Sequence, residues 1–67
     1  MTLRKGVLDV PARAELLGLV AREAGYSRDS NPYLEHLALM PEETQPLVDA
    51  WYRGWDGADR ALRQKNP

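Results

Sequence analysis

The sequence contains no cysteine, no phenylalanine and one histidine. Without cysteine there is no disulfide framework and no thiolate metal site, and one histidine does not build a zinc centre. No apolar run approaches the roughly 20 residues that span a bilayer. The beginning of the chain has no apolar h-region of the secretory kind, so a cytoplasmic protein is expected. Charge of either sign is not in excess: nine Lys and Arg face ten Asp and Glu, for a net charge of −1. That balance excludes a strongly basic nucleic-acid coat but leaves room for local patches.

What is present is 67 residues, 43% of them apolar and 28% charged. A chain this short buries a small fraction of its surface, so its core is marginal unless helix packing or oligomerisation reinforces it. The periodicity predicts a single small all-α domain over 1–67. Met1 to Leu8 carries Arg4 and Lys5 without helical spacing and reads as an extended arm. A helix is expected over 10–24, with Asp9 as N-cap and Pro11 in the first turn. Val10, Ala14, Leu17, Ala21 and Ala24 form one apolar face, widened by Leu16 and Val20, with Leu19 on the far side. Gly25 stands where a left-handed C-terminal residue belongs. Asn31-Pro32 starts a short helix over 32–39 with Leu34, Leu37 and Ala38 as its buried side, and Pro41 ends it. A last helix is expected over 45–64, with Thr44 as N-cap and Pro46 in the first turn; Pro41–Gln45 reads as a connecting turn or as an acidic first turn of that helix. Leu47, Trp51, Trp55, Ala58 and Leu62 form its stripe. The expected architecture is an antiparallel helical hairpin with a short helix in the connection.

Gly18, Gly54 and Gly57 fall inside the predicted helices, each costing roughly 1 kcal/mol relative to alanine. Ala50, Gly54, Gly57 and Ala61 form a small-residue ridge beside the tryptophans. Close packing of the two long helices is the expected compensation. Asp49–Arg53, Asp56–Arg60 and Asp59–Arg63 are i,i+4 pairs with the acid N-terminal, worth about 0.2–0.5 kcal/mol each. Expected core residues are Leu17, Ala21, Tyr33, Trp51, Gly54, Trp55 and Leu62. Leu16, Leu19 and Val20 exceed what one thin hairpin buries, so they are assigned to an interface, with a homodimer as the expected state.

Gly18 and Gly25, then Asn31-Pro32-Tyr33, then Trp51-Tyr52-Arg53-Gly54-Trp55 resemble the ribosome modulation factor and CrpP-type small proteins. The resemblance covers roughly residues 14–62 and implies a small regulatory protein of translation that contacts the ribosome or its RNA; because some CrpP-type proteins are described as ATP-dependent enzymes, a small kinase-like enzyme is a further class considered. Two departures stand out: a longer, acid-rich stretch between Tyr33 and Trp51, and a balanced charge where a ribosomal RNA binder is strongly basic. The second class considered is a dimeric protein-binding adaptor or inhibitor, of the kind phages or mobile elements carry, acting on a host protein. Candidate RNA- or partner-contacting residues are Arg4, Lys5, Arg13, Arg22, Arg28, Tyr26 and Tyr52. Of the cations, Arg4, Lys5 and Arg28 have the least obvious local partners. His36 has only Glu35 beside it and no nucleophile nearby. There is no phosphate-binding G-x-x-x-x-G-K-[ST] loop. No catalytic residue, metal or cofactor is therefore assigned.

Overall fold

The computed structural model describes residues 10–64, and they contain helices and no strand. The elements are α1 (Pro11–Glu23), a 3-10 turn (Arg28–Ser30), α2 (Leu34–Leu37) and α3 (Pro41–Gln64). The arm with Arg4 and Lys5, and the expected cap Asp9, lie outside the described residues. Val10 itself is the N-cap of α1, in extended conformation and without a side-chain cap. Pro11 takes the first helical position, where its missing N–H is no loss. α1 closes as its sequence implies. Gly25 has φ +94°. Tyr26 N–H donates to the Ala21 carbonyl and Gly25 N–H to the Arg22 carbonyl, the paired bonds of a Schellman close.

α3 begins earlier than expected, at Pro41 rather than after Thr44. Proline at the first position again sets the start, and Glu42 and Glu43 in the first turn suit the positive end of the helix dipole. Thr44 is therefore inside the helix and buried, and its hydroxyl donates to the His36 carbonyl at 3.5 Å. Pro46 lies in the helix body, where it cannot donate to the Glu42 carbonyl. α2 is one turn long. Leu34 and Ala38 are exposed and only Leu37 is half-buried, so the side expected to be buried is mostly not.

The two long helices run in the same direction, which corrects the antiparallel expectation. Ala14 packs with Leu47 and Ala50, Gly18 touches the backbone of Trp51 and Trp55, and Arg22 reaches Asp59. Partner numbers rise together along both helices. The physical reason is the connection. Residues 24–40 are long enough to travel back down α3, a descent of about 27 Å from the level of Asp59 to Pro41. Tyr26 bonds to Trp55, Arg28 to Asp56, and Asn31 to Val48. Along this return the contacts move down α3, from Trp55 and Asp56 to Val48.

The crossing is set by two glycines. A Cβ on Gly18 would overlap the Trp51 carbonyl, and one on Gly54 would overlap the Glu15 carbonyl. The close packing expected of Gly18 and Gly54 is thus present. Gly57 differs, since among the described residues nothing lies within 4 Å of a Cβ there. Gly57 and Ala61 are exposed, so the buried small row of α3 is Ala50, Gly54 and Ala58. Trp51, 2% exposed, is the largest fully buried side chain, and its ring meets Tyr52 edge-on at 5.9 Å. Tyr33 packs against the Ala14–Leu47–Ala50 cluster.

Asn31 fastens the return segment. It is buried, its Nδ2 donates to the Val48 carbonyl at 3.2 Å, and its Oδ1 accepts from Tyr33 N–H at 2.9 Å. The asparagine expected to cap a helix instead ties a turn to the middle of α3. Among the described residues no helix is long and apolar enough to cross a membrane.

Candidate functional site

Burial on α1 is inverted relative to side-chain size. Its buried residues are Ala14 and Gly18, because the glycine crossing admits only small side chains. Leu16, Leu17, Leu19 and Val20 stay 53%, 42%, 37% and 49% exposed. Leu17 is therefore not a core residue, and Ala21 is only partly covered. The proposed interface trio is also divided. Leu16 and Leu19 line a groove of about 450 Å³ between α1 and the second half of α3. Val20 lines a separate groove of about 420 Å³ on the opposite flank, with Leu17, Ala24, Tyr26, Pro32 and Trp51.

The candidate cations are largely engaged with acids of the same chain. Arg28 makes a two-pronged contact with Asp56, Nε to Oδ1 at 2.8 Å and Nη2 to Oδ2 at 3.0 Å, and its guanidinium lies 4.1 Å from the Tyr52 ring centre. Its partner is thus 28 residues away in sequence, which is why no local one was apparent. Its hydrogen bond to Asp56 raises its pKa further. The same hydrogen bond from Arg28 is the main cause that holds the Asp56 carboxyl below its ordinary value. Attraction to Arg28 and Arg60 adds to this, against partial desolvation.

Arg22 donates to Asp59 at 2.9 Å and lies 5.5 Å from the Trp55 ring centre. Asp59 also receives Arg63 at 2.9 Å, the expected i,i+4 pair. The other expected pairs are rearranged. Arg53 turns to Glu15 of α1 at 3.7 Å, Asp49 accepts from Gln45 one turn earlier in the same helix, and Arg28 takes the hydrogen bonds of Asp56 while Arg60 still attracts it. Trp55 is half-buried, and its Nε1 donates to the Tyr26 carbonyl at 2.9 Å. It latches the start of the return segment rather than filling the core. Leu62 is likewise half-buried. Tyr52 is half-covered, while Tyr26 and Arg13 are exposed.

Sequence reasoning missed the roles of Glu15, Asp56 and Asp59 as cross-element partners. For Asp56 and Asp59 the i,i+4 spacing to Arg60 and Arg63 concealed them, because that spacing satisfies a carboxylate before any tertiary contact is considered; Glu15 was concealed because its partner Arg53 has Asp49 at the same spacing.

Tyr33, His36, Glu43 and Thr44 border a third groove of about 410 Å³, with Pro32, Met40 and Leu47 also in its lining. The Thr44 hydroxyl already serves the His36 carbonyl. Among the described residues no group of three or more His, Cys, Asp or Glu side chains is placed to hold a metal ion. What the described surface offers, then, is two apolar flanks on α1 and arginines mostly committed to internal pairs. No protein-family model matches the chain, and neither a curated protein nor a solved structure matches it.

Proposed function

We propose that the chain is a small non-catalytic regulatory protein that docks on a protein component of a larger assembly through the flank of α1 next to the return segment. The observation that carries this reading is the exposure of Leu17 and Val20 around the groove that Tyr26, Pro32 and Trp51 complete. A marginal domain gains nothing in isolation from two large apolar side chains in water, whereas a partner's apolar side chain seated there removes them from it. The absence of Lys and Arg from residues 31–50, which hold four acids, suits a partner with a basic rim.

The order of Asn31-Pro32-Tyr33 and Trp51–Gly54–Trp55 supports a ribosome as the assembly. The ion pairing of Arg22, Arg28, Arg53 and Arg63 favours a protein surface over bare RNA, because phosphate would have to displace a carboxylate at each of them. Affinity capture from an extract at low and high salt, with the wild type and the Leu17→Glu/Val20→Glu double variant, tests the proposal. The expected result is a protein partner that resists high salt and nuclease and is lost with the double variant at unchanged helicity. Capture only at low salt, abolished by nuclease and indifferent to the double variant, overturns it in favour of RNA contact.

A further inference from the structure

We propose that residues 26–30, the first part of the return segment, form a hinged strap that swings away from α3 as one body while the two long helices stay crossed. The first support is how lightly the strap is held. Residues 26–30 are all exposed, so no buried side chain of theirs ties them to the helices. Two lateral contacts within reach of solvent join them to α3. Trp55 Nε1 donates to the Tyr26 carbonyl at 2.9 Å. Arg28 grips Asp56 at 2.8 and 3.0 Å and lies over the Tyr52 ring. A segment with few buried contacts and exposed hydrogen bonds opens at a fraction of the free energy of global unfolding.

The second support is how the strap ends. On one side stands Gly25, with φ +94° and, among the described residues, nothing within 4 Å of a Cβ position. That joint turns without driving a side chain into a neighbour. On the other side Asn31 is buried and bonded to the Val48 carbonyl and the Tyr33 N–H, which fixes the chain beyond it. Between the two, the 3-10 turn is closed on itself. Ser30 N–H donates to the Ser27 carbonyl at 3.0 Å, and the two serine hydroxyls lie 3.2 Å apart. A stretch closed internally, free at one joint and anchored at the other, moves as a unit.

The strap has a consequence for the groove of Leu17 and Val20. Tyr26 and Ser30 line that groove together with Trp51, so the strap is one of its walls. Closed, it leaves Trp51 buried; swung out, it opens a path toward that ring for a partner's apolar side chain. This consequence rests on the docking reading, whereas the hinge itself does not.

Hydrogen exchange followed by NMR on the full chain tests the hinge without any partner. The probe is the Trp55 indole N–H, and the Trp51 and Gly54 amides inside α3 report the helix crossing. The indole is expected to be protected, but at least roughly tenfold less than those amides. Its rate is expected to depend little on urea below the unfolding transition, because a local opening exposes little surface. Arg28→Ala is the discriminating variant. It removes the Arg28–Asp56 bond, whereas the bond read out is Tyr26–Trp55, and the strap couples the two. Indole exchange is expected to speed up by at least about threefold, the scale of one exposed ion pair, with its weak urea dependence retained.

An indole as protected as the helix amides, with the same urea dependence, overturns the proposal, because the strap then opens only when the whole chain unfolds. An indole with no protection overturns it too, since the strap is then not closed. An indole rate indifferent to Arg28→Ala also overturns it, in favour of Trp55 moving alone. Failure of the affinity capture would remove the consequence for the groove and leave these exchange rates standing.

Discussion

At the scale of single residues, the three helical glycines look alike in sequence and behave differently in space. Gly18→Ala and Gly54→Ala would each gain about 1 kcal/mol of helix propensity. The added methyl meets backbone rather than a movable side chain, so the helices must separate, and overpacking of this kind costs typically about 1–3 kcal/mol. Both variants are expected to lower the urea midpoint. Gly57→Ala meets open space and is expected to raise it, by up to about 1 kcal/mol in the monomer. Parallel denaturation curves at low protein concentration check the sign at each site. Asn31 is the polar counterpart. Asn31→Ala removes its two side-chain bonds, to the Tyr33 N–H and the Val48 carbonyl, at an expected cost of about 1–3 kcal/mol. Asn31→Asp restores only the acceptor and sets a carboxylate toward a carbonyl, so it is expected to unfold more readily at neutral pH than in mild acid. A pH series of thermal melts distinguishes the two variants.

At the scale of elements, the apolar stripe of α3 was legible in part: Leu47, Trp51 and Ala58 recur at helical spacing and are buried, while Trp55 and Leu62 of the same stripe are only half-buried. The inward face of α1 was misread for a physical reason. Periodicity weighs side chains by size, but a glycine crossing buries small side chains and turns Leu17 outward. The start of α3 was misread because two prolines compete for the first turn, and burial of Thr44 against the return segment decides for Pro41. The ion pairs between elements carry a pH signature. The Asp56 carboxyl sits below its ordinary pKa in the folded chain, chiefly through the Arg28 hydrogen bond. A depressed carboxylate stabilises the fold fully above its unfolded pKa and loses that contribution as pH falls through the folded value. Thermal stability is therefore expected to decline on acidification from the ordinary aspartate range downward, and less steeply in Asp56→Asn. The difference should be small, because both side chains are about half exposed.

At the scale of the molecule, the all-α class was readable from composition and periodicity, and the direction of the helices was not. Nothing in the residues of α1 or α3 states whether a 17-residue link turns once or doubles back. The answer lies in contacts more than 15 residues apart, such as Asn31 to Val48 and Tyr26 to Trp55. Exposure of the α1 leucines was likewise a property of the assembled layers, since a molecule 15 Å across its thinnest dimension has little more depth than one helix, about 10–12 Å with side chains.

Because α1 and α3 point the same way, the two ends of the described chain lie at opposite poles, residue 10 one helical turn before Ala14, which packs with Leu47, and residue 64 beyond Asp59. Tension applied through the termini therefore slides one rod along the other and loads the glycine crossing and every lateral bond together. In optical-tweezers traces the chain is expected to yield in one abrupt rip, whereas a hairpin held at adjacent ends would peel open turn by turn at low force.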